Sequence, residues 1–172
     1  MPYKAPPART GAAVSRSLPA APAAPPAEAA DFLGLSVELT GFEEVELLGT
    51  GAVEIYLGFL AQAFPDVLPD LLAAWRAIAH LPDREAAVRR EILADPKLGP
   101  FARAVIVLWY TATWNQLPAE WSQAYGQHPE DVNQTFGRAY PEGLVWKTAD
   151  IHPGGAKPTG FGTWAFPPKE RA

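Results

Sequence analysis

Three histidines are the first candidates for chemistry in this sequence, and they lie far apart along the chain. His80, His128 and His152 form neither an HxH nor an HxxxH pattern, and no carboxylate stands at a motif spacing from them. A metal site takes at least three protein ligands, so the fold would have to gather three distant positions. His80 ends a helical pattern, where the helix dipole alone explains an imidazole. The sequence therefore predicts no metal site.

The other residue types that perform catalysis lack the neighbours that would activate them. Cysteine is absent, which excludes thiolate catalysis, disulfides and cysteine metal sites. No serine stands in the glycine-flanked turn of a hydrolase nucleophile: Ser15, Ser17, Ser36 and Ser122. The GxG pairs at 49 and 51 and at 160 and 162 are isolated, so neither a phosphate loop nor a flavin fingerprint is present. The sequence predicts no catalytic residue and no cofactor held by this chain.

Length and charge restrict the class of protein further. A chain of 172 residues is long enough for one domain with a sizeable core. Its net charge of -5 argues against a nucleic-acid surface, which needs a basic stripe. The densest basic group, around Arg89 and Arg90, shares its segment with acidic residues, as a solvated helix face does. We expect no nucleic-acid partner.

The most apolar stretch, residues 101–114, predicts the central helix of the fold. Its own apolar residues lie on nearly every face of the predicted helix, which is typical of a buried helix. It is shorter than the roughly 20 apolar residues that cross a bilayer, and Arg103 lies within it. We therefore expect a core helix of a globular domain and no membrane span.

The remaining elements are predicted as helices around this centre. Residues 1–29 are rich in alanine and proline and predict a disordered tail, with a single helical domain over 30–172. Asp31 is expected to cap the first helix and Gly41 to end it. The expected helices cover 31–40, 51–64, 69–80, 83–93, 101–114 and 141–149, with a solvated acidic turn at 43–46 and a break at Gly99–Pro100 before the fifth helix. The residues expected to face inward from the second, third, fourth and sixth helices are Val53, Tyr56, Leu57, Leu60, Phe64, Leu71, Leu72, Trp75, Ile78, Ala87, Val88, Ile92, Leu144, Val145 and Trp146.

Two stretches are predicted to be irregular. Residues 115–138 read as a polar loop whose Trp121 and Tyr125 contact either the domain's own core or a partner. The segment after Asp150 reads as an extended arm rich in proline, glycine and aromatic residues. No convincing strand alternation occurs, so the fold class is all-α: a small irregular bundle of about six helices.

Four short strings, in order, resemble one protein family. They are residues 32–41 (FLGLSVELTG), 108–111 (LWYT), 139–146 (AYPEGLVW), and 157–160 (KPTG) followed by Trp164 and Pro167. Together they resemble the small subunit of membrane-bound, FAD-dependent sorbitol, fructose and glucose dehydrogenases. The resemblance extends over about residues 31–168, nearly all of the expected domain.

This resemblance implies an accessory role. In that family a large flavoprotein of the glucose–methanol–choline type holds FAD and oxidises the sugar or polyol, and a multihaem cytochrome c carries electrons onward. The small subunit assists maturation of the flavoprotein and escorts it during export. The resemblance therefore implies no cofactor in this chain, FAD in a partner and haem c in a possible third subunit.

This sequence departs from the family pattern at several points. Ala112 and Gly143 stand where relatives usually have glycine and alanine. Relatives carry a twin-arginine signal, whereas this chain begins with the alanine/proline tail, and many have a cysteine before the last string. The resemblance implies a place on the periplasmic side of the inner membrane through the complex. A cytoplasmic location stays open because no signal peptide is seen.

We expect the partner to contact the third and fourth strings and the arm between them. The expected contact residues are Tyr140, Glu142, Trp146, Lys157, Pro158, Phe161, Trp164, Phe166 and Pro167. Aromatic and proline residues of this kind anchor interfaces, although they can also close a protein's own core. Two alternatives stay open: a chain that itself acts as a D-sorbitol dehydrogenase, and a helical adaptor for an unrelated partner.

Overall fold

The computed structural model describes residues 26–151 and residue 153, and this part of the chain is mostly helical. The α-helices are α1 (Pro26–Thr40), α2 (Glu44–Gly49), α3 (Val53–Ala63), α4 (Val67–Ile78), α5 (Arg84–Ala87), α6 (Leu98–Thr111), α7 (Ala119–Tyr125) and α8 (Leu144–Thr148). A π-helix covers Val88–Leu93 and a 3-10 turn covers Tyr140–Glu142. Strands β1 (Thr113–Trp114) and β2 (Gln134–Thr135) pair antiparallel. None of these described helices has the length and apolar character needed to cross a membrane.

Helix α1 begins earlier than the sequence predicted. It starts at Pro26, in what was expected to be the disordered tail, and Asp31 lies inside the helix instead of capping it. Proline suits the first helical position and the alanines that follow favour a helix. The Asp31 carboxylate instead accepts a hydrogen bond from Arg76 Nε of α4, at 2.5 Å. The end of α1 was predicted correctly, since Gly41 follows it with φ of 75°.

Helices α3 and α4 confirm the two helices that were predicted from the spacing of apolar residues. Their ends fall within two residues of the predicted ones. The side chains expected to face inward from α3 and the residue after it are all buried: Val53, Tyr56, Leu57, Leu60 and Phe64. The same holds for α4: Leu71, Leu72, Trp75 and Ile78. Apolar residues at i, i+3, i+4 and i+7 form one stripe, so burial on one side explains both helices.

The central helix α6 is buried as expected, but it is shifted toward the N-terminus. It begins at Leu98, because Asp95 Oδ1 accepts hydrogen bonds from the backbone N–H groups of Lys97 (2.8 Å) and Leu98 (2.7 Å). The predicted break at Gly99–Pro100 is wrong, since a proline in the first helical turn loses no intrahelical hydrogen bond. The helix ends at Thr111, and Ala112 follows in the left-handed conformation with φ of 52°.

The region 115–138 is more ordered than a polar loop. It contains α7, and Trp121 is buried with its Nε1 donating to the Lys97 carbonyl at 2.8 Å. Of the two roles left open for Trp121, the structure selects contact with the domain's own core. Strand β2 returns to pair with β1, and buried Asp131 accepts from Trp114 Nε1 at 2.8 Å. Strands of two residues carry no alternation pattern that a sequence could reveal.

The predicted fourth and sixth helices each contain an interruption. The fourth begins at Arg84, directly after Asp83, whose side chain caps the helix by accepting a hydrogen bond from Ala86 N at 3.2 Å. It continues from α5 into the π-helix. Its expected apolar residues are buried: Ala87, Val88 and Ile92. The sixth divides at Gly143 into the 3-10 turn and α8. Of the three residues expected to be buried there, only Leu144 is; Val145 and Trp146 are partly exposed, so that part of the prediction was wrong.

Candidate partner-binding surface

An open groove of about 470 Å³ lies between α2 and the segment from the 3-10 turn to the end of the described chain. Its α2 side is formed by Glu46 and Gly49, with Phe42 just before that helix. Its other side is formed by Pro141, Glu142, Gly143, Leu144, Trp146, Lys147, Asp150, Ile151 and Pro153. We call this depression the α2–α8 groove. A cavity of this size is within the range of ligand and peptide sites.

The acidic turn predicted at 43–46 forms one side of this groove because it is helical. Glu46 Oε2 accepts a hydrogen bond from the backbone N–H of Glu43 at 2.9 Å. A carboxylate in this position satisfies an N–H that the helix itself leaves unpaired, and it complements the helix dipole. The sequence prediction of a solvated turn therefore missed helix α2.

The aromatic residues of the third string are held against each other on the far side of the groove. The Tyr140 and Trp146 rings meet nearly edge to face, with centroids 5.3 Å apart. Trp146 Nε1 also donates to the Tyr140 carbonyl at 2.8 Å. This hydrogen bond closes the turn around Gly143, so the Trp146 ring is fixed where it lines the groove.

Gly143 allows this turn to approach the central helix closely. A Cβ atom at this position would lie 2.8 Å from the Tyr110 carbonyl oxygen. Real Cβ atoms do not come that near to a backbone oxygen, so only glycine fits without movement. Close packing against α6 therefore explains why position 143 is a glycine.

Charged groups connect the two sides of the groove. Lys147 of α8 donates a hydrogen bond to Glu46 Oε1 of α2, and the Lys147 ammonium lies 5.6 Å from the centroid of the Phe42 ring. The hydrogen bond from Lys147 holds the pKa of the Glu46 carboxyl below its usual value, with a smaller contribution from the Glu43 backbone. This ion pair connects α8 with α2, although the two residues are 101 positions apart in the sequence.

Most of the large exposed apolar side chains in the described residues lie on α2 or in the groove. The described residues include four large exposed hydrophobic side chains: Val45 (69% exposed), Leu48 (52%), Val132 (49%) and Ile151 (55%). Val45 and Leu48 belong to α2, and Ile151 lines the groove. Three of the four therefore lie on α2 or in the groove, although Val45 and Leu48 are not part of the groove lining and Leu48 lines a second depression beside α1. Apolar surface concentrated in this way is typical of sites that bind other molecules.

The first two strings contact each other in the core, in a set of four residues that we call the α1–α6 seam. Trp109 Nε1 donates to the Ser36 hydroxyl at 3.0 Å, and this hydroxyl donates to the Phe32 carbonyl at 2.7 Å. Tyr110 Oη donates to the carbonyl of Thr40 at 3.0 Å. The four seam residues are Ser36, Thr40, Trp109 and Tyr110. Buried polar groups that are paired in this way hold α1 and α6 in one register.

The structure brings together only part of the expected contact set. Glu142 and Trp146 line the groove, and Tyr140 contacts Trp146. The other expected residues lie outside the described part of the chain: Lys157, Pro158, Phe161, Trp164, Phe166 and Pro167. Sequence reasoning missed Phe42 and Lys147. Phe42 is a large apolar residue beside an acidic run, and this pattern could have indicated a surface site. The pairing of Lys147 with Glu46 leaves no pattern in the sequence that could have predicted it.

The histidines remain apart where they are described. His128 is buried between the Phe64 and Trp121 rings, with centroids at 4.9 and 5.7 Å, and its Nε2 lies 2.8 Å from Asp66 Oδ1. The hydrogen bond with His128 lowers the pKa of the Asp66 carboxyl. His152 is outside the described residues. Within residues 26–151, no three side chains of the metal-binding types come together.

Comparisons with family models, with curated proteins and with solved structures found no match to this chain. The dehydrogenase family suggested by the four strings therefore remains a prediction from the sequence. The structure adds that the first three strings are linked in space: the first and second through the α1–α6 seam, the second and third through the contact of Gly143 with Tyr110.

Proposed function

We propose that this chain is an accessory subunit of an FAD-dependent sugar or polyol dehydrogenase complex. It assists the maturation of a large flavoprotein of the glucose–methanol–choline type and has no catalytic activity alone. FAD belongs to that partner, and haem c to a possible third subunit. The complex works on the periplasmic side of the inner membrane. The substrate class, partner and compartment of this proposal come from the resemblance of the four strings.

One observation of the fold supports a partner-binding role in particular. Exposed Val45 and Leu48 lie on α2, which borders the α2–α8 groove. The groove itself is lined by exposed Ile151 and by two of the residues expected to contact a partner, Glu142 and Trp146. Large apolar side chains at these exposures cost free energy in water unless another surface covers them. A protein partner that covers α2 and the groove would remove that cost.

The test is co-expression with a large flavoprotein subunit encoded beside this chain. We expect a complex on size-exclusion chromatography and a higher soluble yield of flavin-loaded partner. The double substitution Val45→Lys with Leu48→Lys should weaken the complex by more than tenfold, about 1.4 kcal/mol. Both side chains are exposed, so the melting temperature of the isolated chain should hardly change.

Val132→Lys is the matched control, because Val132 is similarly exposed and lies neither on α2 nor in the groove lining. It should leave the complex unchanged. A flavin absorbance band and sugar oxidation by the purified chain alone would instead favour a free-standing D-sorbitol dehydrogenase. Failure to form any complex with the flavoprotein would favour a helical adaptor for an unrelated partner.

A further inference from the structure

The α2–α8 groove lies where the described chain leaves the domain. Ile151 and Pro153 line the groove, and residues 154–172 follow directly. The stretch from Pro153 to Phe161 reaches about 25 Å when extended, at about 3.3 Å per residue. The segment that follows the groove is therefore long enough to turn back across it.

The groove and this segment match in residue type. The groove presents the aromatic side chains of Phe42 and Trp146. Residues 154–172 include three aromatic side chains within six positions, at 161, 164 and 166, together with prolines at 158, 167 and 168. Aromatic rings pack edge to face, and proline-containing segments bind grooves lined by aromatic residues. The segment therefore has the chemistry that such a groove recognises.

The groove and the segment also have opposite charge. The groove lining contains three carboxylates and one ammonium group: Glu46, Glu142, Asp150 and Lys147. Residues 154–172 contain three basic side chains and one acidic side chain: Lys157, Lys169, Arg171 and Glu170. Opposite net charge favours association and disfavours like-charged competitors.

We propose that residues 154–172 bind in the α2–α8 groove of their own chain. The covalent connection at Pro153 makes this binding intramolecular, and a short connection gives an effective concentration in about the millimolar range. Even a weak contact is then well populated. This placement does not depend on the dehydrogenase partner, although a partner would meet a groove that already has an occupant.

Paramagnetic labelling of the full chain tests this placement. The chain has no cysteine, so a single introduced cysteine takes one nitroxide label. Gly49→Cys places the label at the edge of the groove, where a Cβ meets nothing within 4 Å. Gln123→Cys is the control on α7, exposed and outside the groove lining. The readout is the indole N–H signal of Trp164, assigned by its loss in Trp164→Phe.

We expect the label at 49 to remove most of the Trp164 signal and the label at 123 to leave it nearly intact. Equal broadening from both labels, or from neither, would overturn the proposal. A mixture of isotope-labelled chains without nitroxide and unlabelled chains with nitroxide at 49 provides a further check. Broadening in that mixture would show that a second copy occupies the groove, and the proposal would be wrong.

A charge variant tests the recognition itself. Asp150→Asn removes one groove carboxylate, and asparagine tolerates the left-handed backbone at this position, where φ is 52°. We expect weaker broadening of Trp164 in this variant and a further decrease in high salt. Glu120→Gln, exposed on α7, is the control and should have no effect. Equal broadening in both variants would exclude the charge complementarity on which the placement depends.

Discussion

The α1–α6 seam and the α2–α8 groove both join parts of the chain that are far apart in sequence, but they do so by different physics. In the seam, the Trp109 indole and the Ser36 hydroxyl are buried and fully paired. In the groove, Lys147 and Glu46 meet at the surface beside exposed apolar side chains.

The difference separates stability from recognition. A buried polar group costs free energy when it loses its partner, so the seam fixes the register of the helices. An exposed ion pair contributes little to folding and leaves the nearby surface available. Substitutions in the seam should therefore unfold the domain, whereas substitutions around the groove should change binding and leave the fold intact.

The largest expected effect is in the seam. Trp109→Ala removes a fully buried ring and leaves a cavity between α1 and α6, which should cost about 3–5 kcal/mol of unfolding free energy. Urea denaturation followed by circular dichroism measures the change. Trp109→Phe keeps an aromatic ring in the site but loses the hydrogen bond to Ser36 and part of the buried indole, so it should cost less, about 1–2 kcal/mol. Similar losses in both variants would contradict the role assigned to packing.

Gly143→Ala tests the connection between the seam and the groove. Its Cβ would lie 2.8 Å from the Tyr110 carbonyl oxygen, so the 3-10 turn or α6 must shift. We expect a loss of about 1–3 kcal/mol, the range found for overpacked sites. Gly137→Ala is the control, because a Cβ there meets nothing within 4 Å. A Gly143→Ala variant as stable as the control would show that the turn adapts at no cost.

Ala112→Gly should stabilise the protein. Ala112 ends α6 in the left-handed conformation, which costs a residue with a Cβ about 1 kcal/mol and costs glycine almost nothing. Ala112 is fully buried, so losing its methyl group offsets part of this gain, and the unfolding free energy should rise by less than that amount. Ala61→Gly in the exposed interior of α3 should lower it by a similar amount, since glycine disfavours a helix there. A loss of stability in Ala112→Gly would mean that the alanine methyl group is needed for packing.

The smallest change in stability is expected for Lys147→Met at the groove. The pKa of Glu46 is lowered in the folded state, so its ion pair stabilises the fold above the carboxyl's unfolded pKa. That contribution disappears as the pH falls through the folded pKa. Thermal unfolding between pH 3 and pH 7 should therefore show a shallower acid decline in Lys147→Met than in the parent chain. Parallel curves would show that Lys147 is not the group that stabilises the Glu46 carboxylate.

The sequence by itself determined the main helices and most of the core. The apolar spacing of α3 and α4 predicted their inward faces, and the apolar run around Trp109 predicted a buried helix. These features depend on local periodicity, which is present in the sequence of each segment regardless of what that segment packs against. Gly41 likewise predicted the end of α1, because few other residues adopt the left-handed backbone conformation found there.

Only the tertiary structure decided the short elements and the groove. Helices α2 and α7 are too short to show a periodic pattern, and the pairing of β1 with β2 comprises two residues on each side. Asp31 is a residue type that often caps helices, but here its carboxylate accepts a hydrogen bond from Arg76 on α4. Lys147 and Glu46 meet only after the chain folds. Such contacts depend on the relative placement of distant segments, a property that no local pattern encodes.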